Sequence, residues 1–263
     1  MTALETVRVG ELTVVRAMPD VERHPPVLFV HGIFVDAREW TDWLPRFAAK
    51  GFPAYAVNLR GRAGSRPGIP LRSASFDDYA ADAAEVARHL GRPAVVGHSM
   101  GGLIAQRLAA LDIVRSAVLI TPAPPRGIIL FTPKLAVKQA KYLPQILTNS
   151  VITPNVEDLQ ELAMNAAPPD VRARATSELI PDSGRVGRQL SLTGVPVDAT
   201  KIRCPMRVIS AELDQFVPAK TVAKIARRYG ARLDVIPGRG HIVLMEPGWE
   251  LLADDLAHWI AAV

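Results

Sequence analysis

Apolar residues along this chain gather into short, largely unbroken runs. They are Val27-Leu28-Phe29-Val30, Ala54-Tyr55-Ala56-Val57, Ala94-Val95-Val96, Ala117-Val118-Leu119-Ile120, Met206-Arg207-Val208-Ile209 and Leu233-Asp234-Val235-Ile236. Runs of this length that do not alternate with polar residues fit strands buried on both faces, as in a parallel sheet. Ahead of them, Val7, Val9, Leu12 and Val14 alternate around Gly10-Glu11, which predicts a β-hairpin over residues 7–17.

Between most of the runs the apolar period lengthens to that of a helix. The pattern predicts helices over 40–50, 76–90, 100–111, 219–229 and 247–262. The second carries Phe76, Tyr79, Ala83, Val86 and Leu90 on one face, and Ser75 with Asp78 forms a capping box in which Asp stands for the usual Glu. Pro218 suits the first turn of the fourth.

The alternation fails between about 126 and 200, where the pattern gives helical pieces (134–147 and 155–165), many prolines and no clear strand. The expectation is an α/β protein with a mostly parallel central sheet flanked by helices. Its core would run over 1–125 and 201–263, and residues 126–200 would form a small helical cap, or lid, over the sheet's C-terminal edge.

Composition narrows the function classes. Of 263 residues 49% are hydrophobic, ample for a packed core. The net charge of +5 comes from dispersed basic residues. The densest group, Arg60-Gly61-Arg62-Ala63-Gly64-Ser65-Arg66, is glycine-broken and reads as a solvated basic surface, not a nucleic-acid stripe. The single cysteine, Cys204, excludes an internal disulfide and reads as a core thiol. The N-terminus lacks a signal-peptide pattern and no run reaches the length of a membrane span, so a cytoplasmic protein is expected.

The chemistry sits at Gly97-His98-Ser99-Met100-Gly101, directly after an apolar run and at the start of a helical pattern. G-x-S-x-G in that context is a nucleophile elbow: a strained strand-to-helix turn that lifts the serine hydroxyl above the sheet. Serine needs a base, and the base an orienting acid. Of six histidines, His241 lies in the glycine loop Pro237-Gly238-Arg239-Gly240-His241 after the last strand, on the same sheet edge as Ser99. His98 points away from its neighbour, His31 braces a loop, His24 lies in a Pro-rich approach, and His89 and His258 sit on helices. Asp214, in the loop after Met206–Ser210, is the candidate acid, with Glu212 the nearer rival that stabilises the turn. Backbone donors for an oxyanion are Met100 and, after Gly32, Ile33, with Phe34 the fallback.

Together these residues resemble the α/β-hydrolase superfamily over essentially the whole chain. The order Ser99, Asp214, His241 is that superfamily's own, and His31-Gly32 and Gly240-His241 match its pattern. One departure stands out: many members have Asp-x-x-Gly-x-Gly-x-Ser after the fourth strand, where this chain has Asn58-Leu59-Arg60-Gly61-Arg62-Ala63-Gly64-Ser65. That loop is structural in the family, so the triad assignment stands.

The resemblance is nearest to bacterial carboxylesterase, lysophospholipase-like and perhydrolase-like members. It implies a cofactor-free, metal-free serine hydrolase that cleaves an ester of a small to medium hydrophobic substrate through an acyl-enzyme. A C–C bond hydrolase, an amidase or a perhydrolase shares the same triad. A small-molecule receptor on this scaffold is the non-enzymatic alternative. Partners expected are a small-molecule ester and, at most, further copies of the chain. Phe34, Phe131, Tyr142, Ile146 and Met164 are candidate substrate contacts, beside Leu135 and Leu147.

Overall fold

The structure, a computed structural model, describes residues 2–263. Strands β1 (Leu4–Val9) and β2 (Leu12–Ala17) form the predicted hairpin, with Val9 opposite Leu12. The predicted apolar runs become β3 (Val27–Val30), β4 (Ala54–Val57), β5 (Ala94–His98) and β6 (Ser116–Ile120). A two-residue ribbon pairs β7 (Val151–Ile152) with β8 (Asp182–Ser183). Strands β9 (Met206–Ala211) and β10 (Arg232–Ile236) follow.

The main sheet has eight strands in the order β1-β2-β4-β3-β5-β6-β9-β10. β2 runs antiparallel to both its neighbours, and every pair from β4 to β10 is parallel. The chain leaves β3 for β4 on one side and returns to β5 on the other. That reversal opens a crevice at the C-terminal ends of β3 and β5, the place where open α/β sheets bind ligands.

Helices α1 (Trp43–Ala49), α2 (Phe76–His89) and α3 (Met100–Ala110) precede the inserted segment. That segment holds α4 (Pro133–Ala140), α5 (Leu143–Thr148), α6 (Val156–Leu162), α7 (Pro169–Ser177) and α8 (Gly184–Arg188). Helices α9 (Ala219–Tyr229) and α10 (Trp249–Ala262) close the fold. Alternate strand residues split between the sheet's faces. Leu28, Val30 and Val95 pack with Tyr79, Leu103 and Ile225 on one face, and Val27, Phe29 and Val96 pack with Trp43, Phe47 and Leu256 on the other. The Ser75–Asp78 capping box of α2 is present in both directions, Ser75 N–H to Asp78 Oδ2 at 2.9 Å and Asp78 N–H to Ser75 Oγ at 3.2 Å.

Three expectations are corrected here. The helix predicted over 134–147 is two helices, and the segment also contains α7, α8 and the β7–β8 ribbon, which no periodicity had signalled. A ribbon of two residues per strand is too short to show a period. The basic run at 60–66 is not a solvated face: Arg62 is fully buried and Arg60 and Arg66 are 13% and 19% exposed. Asp78, Asp82 and Glu85 line one side of α2, and Arg60 and Arg66 turn inward to pair with them. Cys204 is half-buried rather than a core thiol, and burial raises its pKa.

Candidate active site

The elbow follows from close backbone approach. A Cβ on Gly97 would lie 2.1 Å from the Gly101 carbonyl oxygen, and one on Gly101 would lie 2.1 Å from that of Val30. Only glycine fits at either position, which lets α3 start immediately above β5. Ser99 takes φ 53°, ψ −116°. Its backbone is held at both ends: its N–H donates to Ile120 O at 3.0 Å and its C=O accepts from Ala123 N–H at 2.9 Å. Strain of this kind persists only where the surroundings over-determine it.

The structure brings the three predicted side chains together. Ser99 Oγ lies 3.0 Å from His241 Nε2, and His241 Nδ1 lies 2.8 Å from Asp214 Oδ2. All three residues are buried. Because a carboxylate only accepts, Nδ1 carries the proton and Nε2 is free to accept from the serine hydroxyl. The other Asp214 oxygen accepts the Phe216 and Val217 amides, each at 2.8 Å, so the acid is fixed before it orients the base. Glu212 does not reach His241: it accepts the Gly238 amide at 2.8 Å and holds the turn. The His241 loop is pinned by Glu246, fully buried, which accepts the Gly240 amide at 2.8 Å.

Among the described residues, neither the Ile33 nor the Met100 amide donates to a protein acceptor, so both stay available to an oxyanion. Phe34 is excluded as the fallback donor because its N–H donates to Asp182 Oδ2 at 3.1 Å. Its side chain does line the site.

Ion-paired groups around the triad carried no signal in the sequence. His98 turns away from Ser99, with Nδ1 2.7 Å from Glu39 Oε1 and Nε2 3.1 Å from His241 O. Both partners are acceptors, so both ring nitrogens donate and the ring is an imidazolium. Burial pushes its pKa down, but the Glu39 carboxylate and the His241 carbonyl outweigh that and hold it above the ordinary value. The other Glu39 oxygen accepts the Gly32 amide at 3.1 Å, so one buried pair ties the loop after β3 to the backbone of His241. His31 is the opposite case. Its Nδ1 donates to Gly32 O at 2.8 Å and its Nε2 accepts from Leu59 N–H at 3.4 Å, which requires the neutral ring. Burial, with the Arg62 charge, lowers its pKa to about 3. Of the remaining histidines, His24 stacks on Phe52, and His89 and His258 are exposed on their helices.

Two cavities meet at Ser99. The larger encloses about 950 Å³ with its mouth and is lined by Met100, Leu135, Tyr142 and Ile146 among others. The smaller, about 550 Å³, is lined by His241, Met164 and Met245. Ile33, Phe34, Ser99, Leu159 and Phe216 belong to both. Of the candidate substrate contacts, Tyr142 and Ile146 line the larger cavity and Met164 the smaller. Phe131 and Leu147 are 62% and 64% exposed and line neither cavity. Phe131 opens instead onto an outer groove with Leu143 and Leu192. Phe216, whose ring lies tilted with its centroid 5.0 Å from that of His241, had no motif to mark it.

The sequence profile of the Alpha/beta hydrolase family matches residues 27–254, which contain every residue of this constellation. This chain belongs to the alpha/beta hydrolase family. The hydrolase is 26% identical over 259 residues to a monoacylglycerol lipase of Mycolicibacterium smegmatis, a match covering 93% of this chain and 90% of that one. It is 26% identical over 243 residues to a non-heme chloroperoxidase of Kitasatospora aureofaciens, covering 85% and 87%. A thermophilic esterase from Thermogutta terrifontis superposes with a TM-score of 0.70 at 22% identity, over 99% of this hydrolase and 98% of the esterase. The last likeness is one of fold. No helix among the hydrolase's described residues is long and apolar enough to cross a membrane.

Proposed function

We propose that this hydrolase cleaves a carboxylic ester whose acyl and alcohol halves are both apolar, by way of a Ser99 acyl-enzyme. The observation that carries the reading is a single hydrogen-bonded line, Ser99–His241–Asp214, placed where two apolar cavities join. A monoacylglycerol lipase among its relatives fits the ester-cleaving part of this reading.

His241 Nε2 takes the hydroxyl proton as Ser99 Oγ attacks the carbonyl carbon, and Asp214 stabilises the imidazolium that forms. The Ile33 and Met100 amides receive the oxyanion. His241 then gives the proton to the leaving alkoxide, and the carbon–oxygen bond to the alcohol breaks. Water, deprotonated by the same imidazole, releases the acid. The alcohol half occupies the smaller cavity, because that cavity alone is lined by the imidazole that must protonate it. The acyl half occupies the larger, beside Met100.

Residues 126–200 act as a lid over a core of 1–125 and 201–263. Leu135, Ile146 and Leu159 on the inserted segment complete walls whose floor is Ser99 and Phe34. An uncharged substrate suits this lining: Lys138, the cation on the wall, is already paired with Asp158 and Glu161.

The test is labelling by a fluorophosphonate together with hydrolysis of p-nitrophenyl esters of increasing acyl length. Labelling and turnover are expected in the parent. Both are lost in Ser99→Ala and His241→Ala, with kcat falling on the order of 10⁴-fold or more. Undiminished labelling of Ser99→Ala, or a folded parent inert to every ester, would overturn the reading.

A further inference from the structure

Phe34, next to the proposed oxyanion donor Ile33, has φ 66°, a left-handed backbone that a bulky residue rarely adopts. The inserted segment grips it from both sides. The Ile180 N–H donates to Phe34 O at 2.8 Å, and the Phe34 N–H donates to Asp182 Oδ2 at 3.1 Å. Asp182 belongs to strand β8 and is fully buried.

The same Oδ2 receives the Arg62 guanidinium, also fully buried, whose Nε donates to Val35 O at 3.1 Å. Oδ1 accepts the Tyr79 hydroxyl and the Asp182–Ser183 peptide N–H, each at 2.7 Å. The amide of Phe34 and the carbonyl of Val35 are thus held by one buried hub, and the Phe34 carbonyl by the Ile180 N–H beside it. The 33–34 peptide plane, which carries the Phe34 N–H, meets the 32–33 plane, which carries the Ile33 N–H, at the Ile33 Cα, so a turn of the first shifts the donor relative to Ser99; among the described residues Asp182 is the acceptor that holds the Phe34 N–H.

We propose that Asp182 is a positioning residue that sets the loop carrying the Ile33 donor, so that the oxyanion site is complete only while the inserted segment is seated. The inference rests on the serine-hydrolase reading and deepens it. Asp182 touches no reacting atom; it acts through Phe34. The consequence is a coupling of lid to chemistry: displacing β8 withdraws the carboxylate and frees the loop, so turnover is tied to lid closure.

The experiment compares the parent with Asp182→Asn, which removes the charge but keeps the shape. Tyr79→Phe serves as the control, because it loses only the bond to the oxygen that does not touch the loop. Three readouts are taken: kcat and KM on p-nitrophenyl butyrate; affinity for a trifluoromethyl ketone, which adds to Ser99 as an oxyanion, against its methyl ketone; and hydrogen exchange of the Phe34 amide.

Asp182→Asn is expected to lose kcat by roughly 10- to 100-fold, with KM within about threefold of the parent. Trifluoromethyl ketone affinity falls in step, methyl ketone affinity holds, and the Phe34 amide exchanges faster. Tyr79→Phe keeps kcat within about twofold even where its unfolding midpoint drops. Should Asp182→Asn fail to fold, the pair Asp182→Asn with Arg62→Met removes the orphaned cation and carries the same readouts. Parent-like kcat and ketone affinity in the folded variant overturn the proposal. So does a loss that Tyr79→Phe shares in proportion to its stability. A parent inert to both ester and fluorophosphonate overturns the hydrolase reading instead, and the Phe34 exchange rate still decides whether the clamp exists.

Discussion

Gly97 and Gly101 set the elbow by what they lack. The atoms a Cβ would strike are backbone carbonyls of the neighbouring helix and strand, which cannot move aside as a side chain could. Gly101→Ala is therefore expected to cost about 3 kcal/mol or more and to leave little folded protein, measured by urea unfolding. Ser99→Ala keeps the parent's unfolding free energy to within about 1 kcal/mol while losing turnover. A soluble, active Gly101→Ala would show that the elbow tolerates a side chain and would remove the steric account. Asp214 and His241 were legible because each lies in a short loop directly after an apolar run. Glu39, Asp182 and Phe216 were not: a carboxylate on a 3-10 turn or in a two-residue strand, and an aromatic residue in a loop, carry no local pattern that distinguishes them.

At the scale of elements, the capping box starts α2 and the inserted segment shapes the cavity. Ser75→Ala is expected to lower stability by about 1 kcal/mol without changing kcat, because it leaves the Asp78 and Tyr79 faces of the helix in place. Calorimetry beside an ester assay checks both halves of that statement. Ile146 is buried on α5 and faces the larger cavity. Ile146→Phe should shorten the preferred acyl chain, with kcat/KM for the longest accepted ester falling about tenfold relative to the shortest. An unchanged chain-length profile would place the acyl group elsewhere. The strands and the core helices were readable because their period is imposed by two-sided burial. The five helices of the insertion are short, and which of their apolar residues face inward depends on where the segment sits on the sheet. Phe131 and Ile146 look alike as letters, yet Ile146 is buried and reaches the larger cavity while Phe131 is exposed and lines only the outer groove.

Across the whole molecule, two buried histidines set opposite limits on stability. His31 is kept neutral, its pKa lowered from 6.5 to about 3 by burial and Arg62. As pH falls through that window the unfolded chain binds a proton that the folded one refuses, so stability drops in acid. His98 has its pKa raised above 6.5, Glu39 prevailing over burial. Its contribution is fully present below 6.5 and is lost as pH rises through the folded value, because the unfolded chain gives up its proton first. Urea midpoints measured from acid to alkaline pH should decline at both ends. His98→Asn is expected to flatten the alkaline limb and leave the acid limb alone; an alkaline limb identical in parent and variant would remove the His98–Glu39 ion pair.

The sequence by itself determined the strand runs, the core helices, the elbow and the chain order of the three triad candidates, because those depend on residues near one another in the chain: two-sided burial, capping and the absence of a Cβ. Tertiary structure alone decided the rest. It turned the 60–66 arginines inward onto α2, chose which apolar residues of the insertion face Ser99, and brought Asp182 to Phe34 across 148 positions of chain. Such contacts leave no local trace: a buried carboxylate is stabilised by where its donors lie in space, and the folded sheet, not the neighbouring letters, puts them there.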